Sequence, residues 1–78
     1  MKPNEIVRDI MKTQNIGLSK LADRMQKSVR LVSDRLRLDN ISVDKLVEIL
    51  RFLDHDLVIM PRGKAGRIEG AYVIEKGE

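Results

Sequence analysis

The sequence predicts a mostly α-helical fold, in which four helices that include a helix-turn-helix are followed by a short C-terminal β-hairpin. Two observations lead to this prediction. Apolar residues recur at helical spacing in four separate stretches up to about residue 53, and capping or turn residues separate the stretches. Beyond that point the apolar runs become short and rich in β-branched residues, and Pro61 and several glycines bound them.

The chain of 78 residues is about half the usual domain length, so we expect a single domain. Within it, residues 1–56 are predicted to form the helix-turn-helix unit. Residues 57–78 are predicted to form the hairpin, which serves the same domain as a dimerisation element. Hydrophobic residues make up 42% and charged residues 35% of the chain, a balance typical of a globular protein.

The first two predicted helices lie on either side of Gly17. Asn4 is a suitable N-cap for the first helix, whose apolar positions recur until about Asn15. The second helix covers residues 18–25, where leucine, alanine and methionine follow the i, i+3, i+4, i+7 pattern. Gln26 and Lys27 are polar and interrupt the apolar pattern after this helix.

Serine caps are predicted for the third and fourth helices. Ser28 precedes the third helix, which is expected to end at about Leu36 or Leu38, and Ser42 precedes the fourth. The inner face of the fourth helix is predicted to be lined by Val43, Leu46, Val47, Leu50 and Leu53, with Ile49 and Phe52 widening the apolar stripe.

The third predicted helix has one apolar and one polar side. With Val32 directed at the core, Leu36 falls on the same side at 100° per residue. The outward face then consists of Arg30, Ser33, Asp34 and Arg37. An apolar side that anchors the helix and hydrogen-bonding groups near its N-terminal end are what a DNA recognition helix requires. The alternative is an ordinary surface helix with an Arg30–Asp34 pair worth about 0.2–0.5 kcal/mol at best.

Positive charge is concentrated in the second quarter of the chain. The net charge is +3, and residues 16–40 hold six basic and three acidic side chains. Residues 41–60 hold two basic and four acidic side chains, so the charge reverses there. This asymmetry favours a nucleic-acid-binding face on one side of the domain, and a mixed-charge solvated surface is the alternative.

Few residues suit catalysis or metal binding. The chain has no cysteine, and its one histidine, His55, stands between two aspartates at the predicted end of a helix. Residues 63–66 resemble a phosphate-binding loop only faintly, since the length and the following helix are missing. We therefore expect neither an enzyme nor a metal or cofactor site. No apolar run is long enough for a membrane span, which favours a cytoplasmic protein.

Four stretches together resemble a known family. Residues 16–25 are similar to the second helix of Cro/repressor-type (XRE-like) helix-turn-helix proteins, and residues 27–36 to their third, recognition helix. Residues 40–53 resemble the helix that follows. Residues 56–62 look like a short strand found in a small phage-associated branch of that family.

The resemblance implies sequence-specific binding of double-stranded DNA and repressor-like transcriptional regulation, with the helix at residues 28–37 in the major groove. In such proteins the residues just after the cap of the recognition helix read bases, and others contact phosphates. The matching positions here are Val29, Arg30, Ser33 and Asp34 for bases, and Lys27, Ser28, Arg37 and Asn40 for phosphates.

The chain departs from the family pattern in three places. Leu18 stands where a glutamine usually contacts the DNA backbone, and Gln26 stands where a glycine is common, so a left-handed backbone there would cost up to about 1–2 kcal/mol. Val29 and Leu31 make the reading helix more apolar than usual, and Val29 either belongs to the core or contacts a thymine methyl. An alternative function is therefore a protein-interaction module, or an antitoxin that binds both a protein and DNA, in which Leu18, Leu31 and Leu38 contact the partner.

Two C-terminal strands are predicted, over residues 57–61 and 71–75, and both carry apolar residues on each face. One face can pack on the fourth helix, and the other is more apolar than a solvated face should be. We therefore expect a homodimer joined through these strands, with its recognition helices about 34 Å apart. The alternative is a hairpin that folds back on its own helices.

Overall fold

The computed structural model describes residues 1–64 and 67–74, and the regular secondary structure in that part of the chain is helical. The four helices are α1 (Pro3–Thr13), α2 (Leu18–Met25), α3 (Val29–Arg37) and α4 (Val43–Arg51). The four predicted helices are therefore confirmed. Helix α3 packs on α2 and α1, and α4 packs on α1.

Helix α1 begins two residues earlier than the sequence suggested. Lys2 is its N-cap residue, and Pro3 occupies the first helical position, where a fixed φ and a missing N–H do no harm. Asn4 therefore lies inside the helix, and the prediction that it caps α1 is wrong. Its side-chain Nδ2 instead donates to the carbonyl oxygen of Leu36 at 3.2 Å, which joins α1 to the end of α3.

One aliphatic core holds the four helices together. Val32 and Leu36 of α3 belong to it, as predicted, together with residues of the other three helices and the loops between them. Its buried members are Ile6, Val7, Ile10, Met11, Ile16, Leu21, Ala22, Met25, Val32, Leu36, Ile41, Leu46, Ile49, Leu50 and Leu53. No charged or polar side chain is buried among the described residues.

The inner face of α4 is centred differently from the prediction. Ile49 is fully buried, whereas Val43 is 64% exposed. Because Ser42 caps the helix, Val43 is its first residue, six positions before Ile49 and about 120° around the helix from it. The prediction that Val43 lines the core is therefore wrong.

The turn between α2 and α3 has a left-handed residue at its centre. Gln26 has φ 56° and ψ 42°, a left-handed conformation that is costly for a residue with a side chain. The N–H of Lys27 then donates to the carbonyl of Ala22 at 3.0 Å. The Oγ of Ser28 accepts from the N–H of Leu31 at 3.1 Å, so Ser28 is the N-cap of α3, as predicted. These local bonds define the angle at which α3 leaves α2.

No β-strand occurs in the described part of the chain, so the predicted C-terminal hairpin is not confirmed. Residues 57–61 contain no helix, strand or turn, and the same holds for residues 71–74. The last residue of the second predicted strand, Glu75, lies outside the described residues. Residues 57–60 do not form a strand because their backbone groups have no hydrogen bond to a neighbouring strand, or to any other group, in the described part of the chain.

The C-terminal segment, residues 71–74, instead contacts α1 and the N-terminus. The hydroxyl of Tyr72 donates to the Oδ2 of Asp9 at 2.5 Å, and the N-terminal amino group donates to the carbonyl of Val73 at 3.2 Å. The bond to Asp9, with a contribution from burial, raises the pKa of Tyr72 above its ordinary value. A largely apolar groove of about 220 Å³ remains between this segment and helices α1 and α4.

Truncation of Leu36 to alanine should lower the free energy of unfolding by about 2–5 kcal/mol, because it opens a cavity in the core. Leu38, two positions on and 46% exposed, is the matched control, and its alanine variant should lose less than about 0.5 kcal/mol. Urea denaturation monitored by circular dichroism measures both. Equal losses at the two positions would show that the orientation of α3 is wrong.

Replacement of Gln26 by glycine should stabilise the fold by about 0.5–1 kcal/mol. Glycine removes about 1–2 kcal/mol of left-handed strain but adds about 0.4–1 kcal/mol of unfolded-state entropy. Asn15 has the same φ of 56°, yet asparagine tolerates this conformation, so Asn15→Gly should bring no gain. Thermal denaturation of both variants tests the expectation, and a destabilised Gln26→Gly variant would contradict it.

Candidate nucleic-acid interface

Helix α3 has one side in the core and the opposite side in solvent. Val32 and Leu36 are 0% and 2% exposed. Arg30, Asp34 and Arg37 are all exposed on the opposite side. Because Val32 and Leu36 are buried, α3 cannot rotate about its own axis. The three exposed polar residues therefore form one row that faces outward, called here the outward row. The structure thus brings these predicted residues together.

The charges along this row are unevenly paired. Arg37 forms an ion pair with Asp34, one helical turn before it. Arg30 has no hydrogen-bond or ion-pair partner within the part of the chain that the structure describes. The i,i+4 pair between Arg30 and Asp34 that the sequence allowed is therefore not present. Arg30 presents a guanidinium with all its donors available for a ligand.

Two further predicted residues lie at the edge of the outward row. Val29 is 42% exposed, so it is not part of the core, which the sequence left open. Ser33 is half-buried and lines a shallow cleft between α1, α2 and α3. Leu18 lines the same cleft and packs against the core, so at this position the chain has an apolar contact and no hydrogen-bond donor.

Arg8 and Lys12 of α1, which were not predicted as site residues, line this cleft as well. Both side chains are exposed, and no acidic residue is among those that line the cleft. Their i,i+4 spacing places them on one side of α1 and was visible in the sequence. Only the packing of α1 against α3 brings them beside Ser33, which is why the sequence alone did not single them out.

The predicted phosphate-binding residues lie at the two ends of α3. Lys27 and Ser28 precede the helix, and Arg37 and Asn40 lie at and beyond its last turn; all four are exposed. The hydroxyl oxygen of Ser28 already accepts the bond that caps the helix. The interface therefore has a positive charge at each end of α3 and Arg30 near its start.

Contacts from two other helices hold the C-terminal half of α3. Its carbonyl at Leu36 accepts from Asn4 and also from an Nη2 of Arg8 at 3.3 Å. On the other flank, an Nη1 of Arg35 lies 2.7 Å from the Oε1 of Glu48 on α4. Carbonyls in the last turn of a helix lack intrahelical donors, so the bonds to Leu36 satisfy a group that needs a partner.

The Arg35–Glu48 pair also separates Arg35 from the outward row. The side chain of Arg35 is only 13% exposed, and its hydrogen bond lowers the pKa of the Glu48 carboxyl below the ordinary value. Arg35 therefore stabilises the packing of α3 and α4 and does not belong to the candidate interface.

An apolar flank adjoins the outward row on the side of α4. Leu31 and Leu38 are 39% and 46% exposed and line one shallow depression with Arg35 and Lys45. Solvent-exposed leucines on one side of a helix are typical of a contact surface for another protein. This flank is the observation that favours the alternative function.

Within the described residues, no three histidine, cysteine or acidic side chains are grouped so that they could hold a metal ion. None of the helices found there has the length and hydrophobicity needed to cross a bilayer. No protein-family model, curated protein or solved structure matches the chain.

Replacement of Glu48 by glutamine should change how stability depends on pH. The pKa of Glu48 is lower in the folded than in the unfolded chain, so its contribution is complete above about pH 5 and is lost as the pH falls through the folded value. Because Glu48 is 39% exposed, the contribution should not exceed about 1 kcal/mol.

Urea titrations at about pH 7 and about pH 3 measure this effect. The variant should be less stable than the natural chain at the higher pH, and the difference should shrink at the lower one. Asp23→Asn, at an exposed carboxylate on α2, is the control. A constant difference between Glu48→Gln and the natural chain across this range would exclude the ion pair.

Proposed function

We propose that the chain is a sequence-specific, double-stranded-DNA-binding transcriptional regulator of the repressor-like helix-turn-helix type, with α3 in the major groove. The observation that supports the proposal most is the fixed outward row of α3. There the unpaired guanidinium of Arg30 lies opposite the buried residues Val32 and Leu36. An α-helix with donors along one side fits the width of the major groove, where each base pair presents a distinct pattern of donors and acceptors.

In this proposal the residues of α3 divide between bases and phosphates. Arg30 donates two hydrogen bonds to the O6 and N7 of a guanine. Asp34 accepts from an amino group on the edge of a base, Ser33 reads a neighbouring base, and Val29 contacts a thymine methyl. The phosphates on either side of the groove are contacted by Lys27, Ser28, Arg37 and Asn40.

The cleft beside Ser33 extends the proposed phosphate contacts to α1. Arg8 and Lys12 lie beside Ser33, one of the proposed base-reading residues, and add two cations. With Lys27 and Arg37, about four phosphates would be neutralised per protomer, which predicts a slope near −3 to −4 for log K against log salt concentration.

The proposed protein acts as a homodimer, joined through its C-terminal strands. A single α3 covers only a few base pairs, and a second copy about one helical turn away supplies the remaining specificity. The exposed apolar residues of the first predicted strand support such an interface, since Val58 and Ile59 are 64% and 98% exposed.

The second candidate is a protein-interaction module or antitoxin, favoured by the exposed Leu31 and Leu38. Salt dependence distinguishes a DNA-binding protein, whether regulator or antitoxin, from a module that binds only protein. A DNA-binding protein loses affinity for random duplex DNA steeply as salt is added, whereas a module that binds only protein shows almost no such binding. Enrichment of bound sequences from a random duplex library then shows whether the binding is specific, and an unenriched pool would contradict the proposed function.

Arg30→Ala should lower the affinity for the enriched sequence by about 1–3 kcal/mol and relax the base preference at one position. Arg37→Ala is the matched comparison, at a second exposed arginine on the same helix. It should weaken binding to all sequences about equally and reduce the salt slope by about one charge. Fluorescence anisotropy with labelled duplexes measures both effects. An unchanged base preference in Arg30→Ala would show that Arg30 does not read a base.

A further inference from the structure

The stretch at residues 57–60, after α4, has backbone groups without hydrogen-bond partners in the described part of the chain. The four residues Leu57–Met60 lie in a segment without helix, strand or turn, and their N–H and C=O groups have no hydrogen bond within the described chain. Two of the four are β-branched, Val58 and Ile59, and Ile59 is 98% exposed. Apolar residues with unpaired backbone groups form an edge on which another strand can pair.

The charges around this stretch are arranged for pairing with a second copy of the same chain. Two acidic residues, Asp54 and Asp56, precede it, and two basic residues, Arg62 and Lys64, follow it. In an antiparallel pair related by a two-fold axis at Ile59, each residue faces the one equally far beyond Ile59 in the other copy. Asp56 then faces Arg62, twice by symmetry, whereas Asp54 and Lys64 lie in the turns that bound the stretch.

Pro61 provides an independent test of this register. Residues that face each other in an antiparallel pair alternate between hydrogen-bonded and non-hydrogen-bonded positions. Because Pro61 has no N–H, it must occupy a non-hydrogen-bonded position. With Ile59 facing its own copy in a non-hydrogen-bonded pair, Pro61 faces Leu57 in another such pair, and the hydrogen bonds form between Val58 and Met60. A shift by one residue would place Asp56 opposite Pro61 and remove its ion pair.

We propose that residues 56–62 of two copies pair as antiparallel strands about a two-fold axis at Ile59, and that this pairing forms the dimer. The inference deepens the homodimer that belongs to the proposed function, but it does not depend on DNA binding. The bonds of Tyr72 to Asp9 and of the N-terminus to Val73 hold residues 71–74 on their own helices, so the edge at residues 57–60 stays available.

The helices beneath the stretch support the pairing. A two-stranded ribbon alone is only marginally stable in water and needs an apolar surface to pack on. Leu57, Val58 and Met60 line the groove of about 220 Å³ that α1 and α4 also line. The paired strands therefore cover an apolar groove that the single chain leaves open.

Single cysteines in this cysteine-free chain test the register directly. Ile59→Cys should cross-link to itself rapidly under mild oxidation, since the facing Cα atoms of a non-hydrogen-bonded pair are about 4.5 Å apart, within disulfide range. Val58→Cys and Met60→Cys are the matched controls. In the proposed register each of these cysteines lies diagonally across from the same cysteine of the other copy, at about 7–8 Å or more, so each variant alone should cross-link slowly. A mixture of the two variants should cross-link rapidly, because position 58 of one copy directly faces position 60 of the other.

Charge exchange tests the ends of the strands in solution. Asp56→Arg places two arginines opposite each other twice per dimer, and the dimer dissociation constant in sedimentation equilibrium should rise about tenfold or more. Addition of Arg62→Asp in the same chain restores opposite charges and should restore the dimer. Asp56→Arg combined with Lys64→Asp is the control for register and should not restore it.

The outcomes distinguish this inference from the proposed function. A natural chain that remains monomeric at about 100 μM, equal self-cross-linking at positions 58 and 59, or a charge exchange without recovery would each overturn the strand pairing. A protein that cross-links at position 59 but enriches no DNA sequence would overturn the regulator and leave the pairing intact. Enrichment of a sequence by a monomeric chain would overturn only the pairing.

Discussion

The burial of one side of α3 is the contact on which the candidate interface depends. A helix of nine residues is too short to be stable alone in water, so tertiary packing must hold it. Val32 and Leu36 provide that packing in the common core. Because the helix cannot rotate without exposing them, Arg30 and Arg37 are held outward. The same apolar contact therefore supplies stability and determines which side chains a ligand meets.

Helix α1 connects the candidate interface with the C-terminal segment. Two polar side chains of α1 make these contacts. The amide of Asn4 donates to the carbonyl of Leu36 at the end of α3, and the carboxylate of Asp9 accepts from the hydroxyl of Tyr72. The groove beneath residues 57–60 is also lined by α1. If two copies pair at residues 56–62, as we propose, contacts through α1 determine how their two α3 helices are placed relative to each other. Contacts made by short polar side chains thus complement the apolar core in setting the geometry of the molecule.

Features that depend on local chemistry were predictable from the sequence, and features that depend on distant contacts were not. Ser28 caps α3 as predicted, because a cap involves only neighbouring backbone groups. Asn4 is a good cap by type, but Pro3 starts α1 earlier and the amide finds Leu36. The predicted strands follow from composition, but strand pairing needs a partner, and within the described chain residues 57–60 have none.

Most of the outward row was likewise predictable, because helical periodicity alone separates Arg30 and Asp34 from Val32. The cationic cleft formed by α1 was not, since it requires the packing of two helices that are distant in sequence. The most direct test of the central claim is a map of backbone amide shifts by NMR during titration with duplex DNA. We expect the largest changes at residues 27–37 and at Arg8 and Lys12, with little change at residues 54–61. Shifts concentrated at Leu38 and α4, or no shifts at all, would contradict the claim that α3 faces DNA.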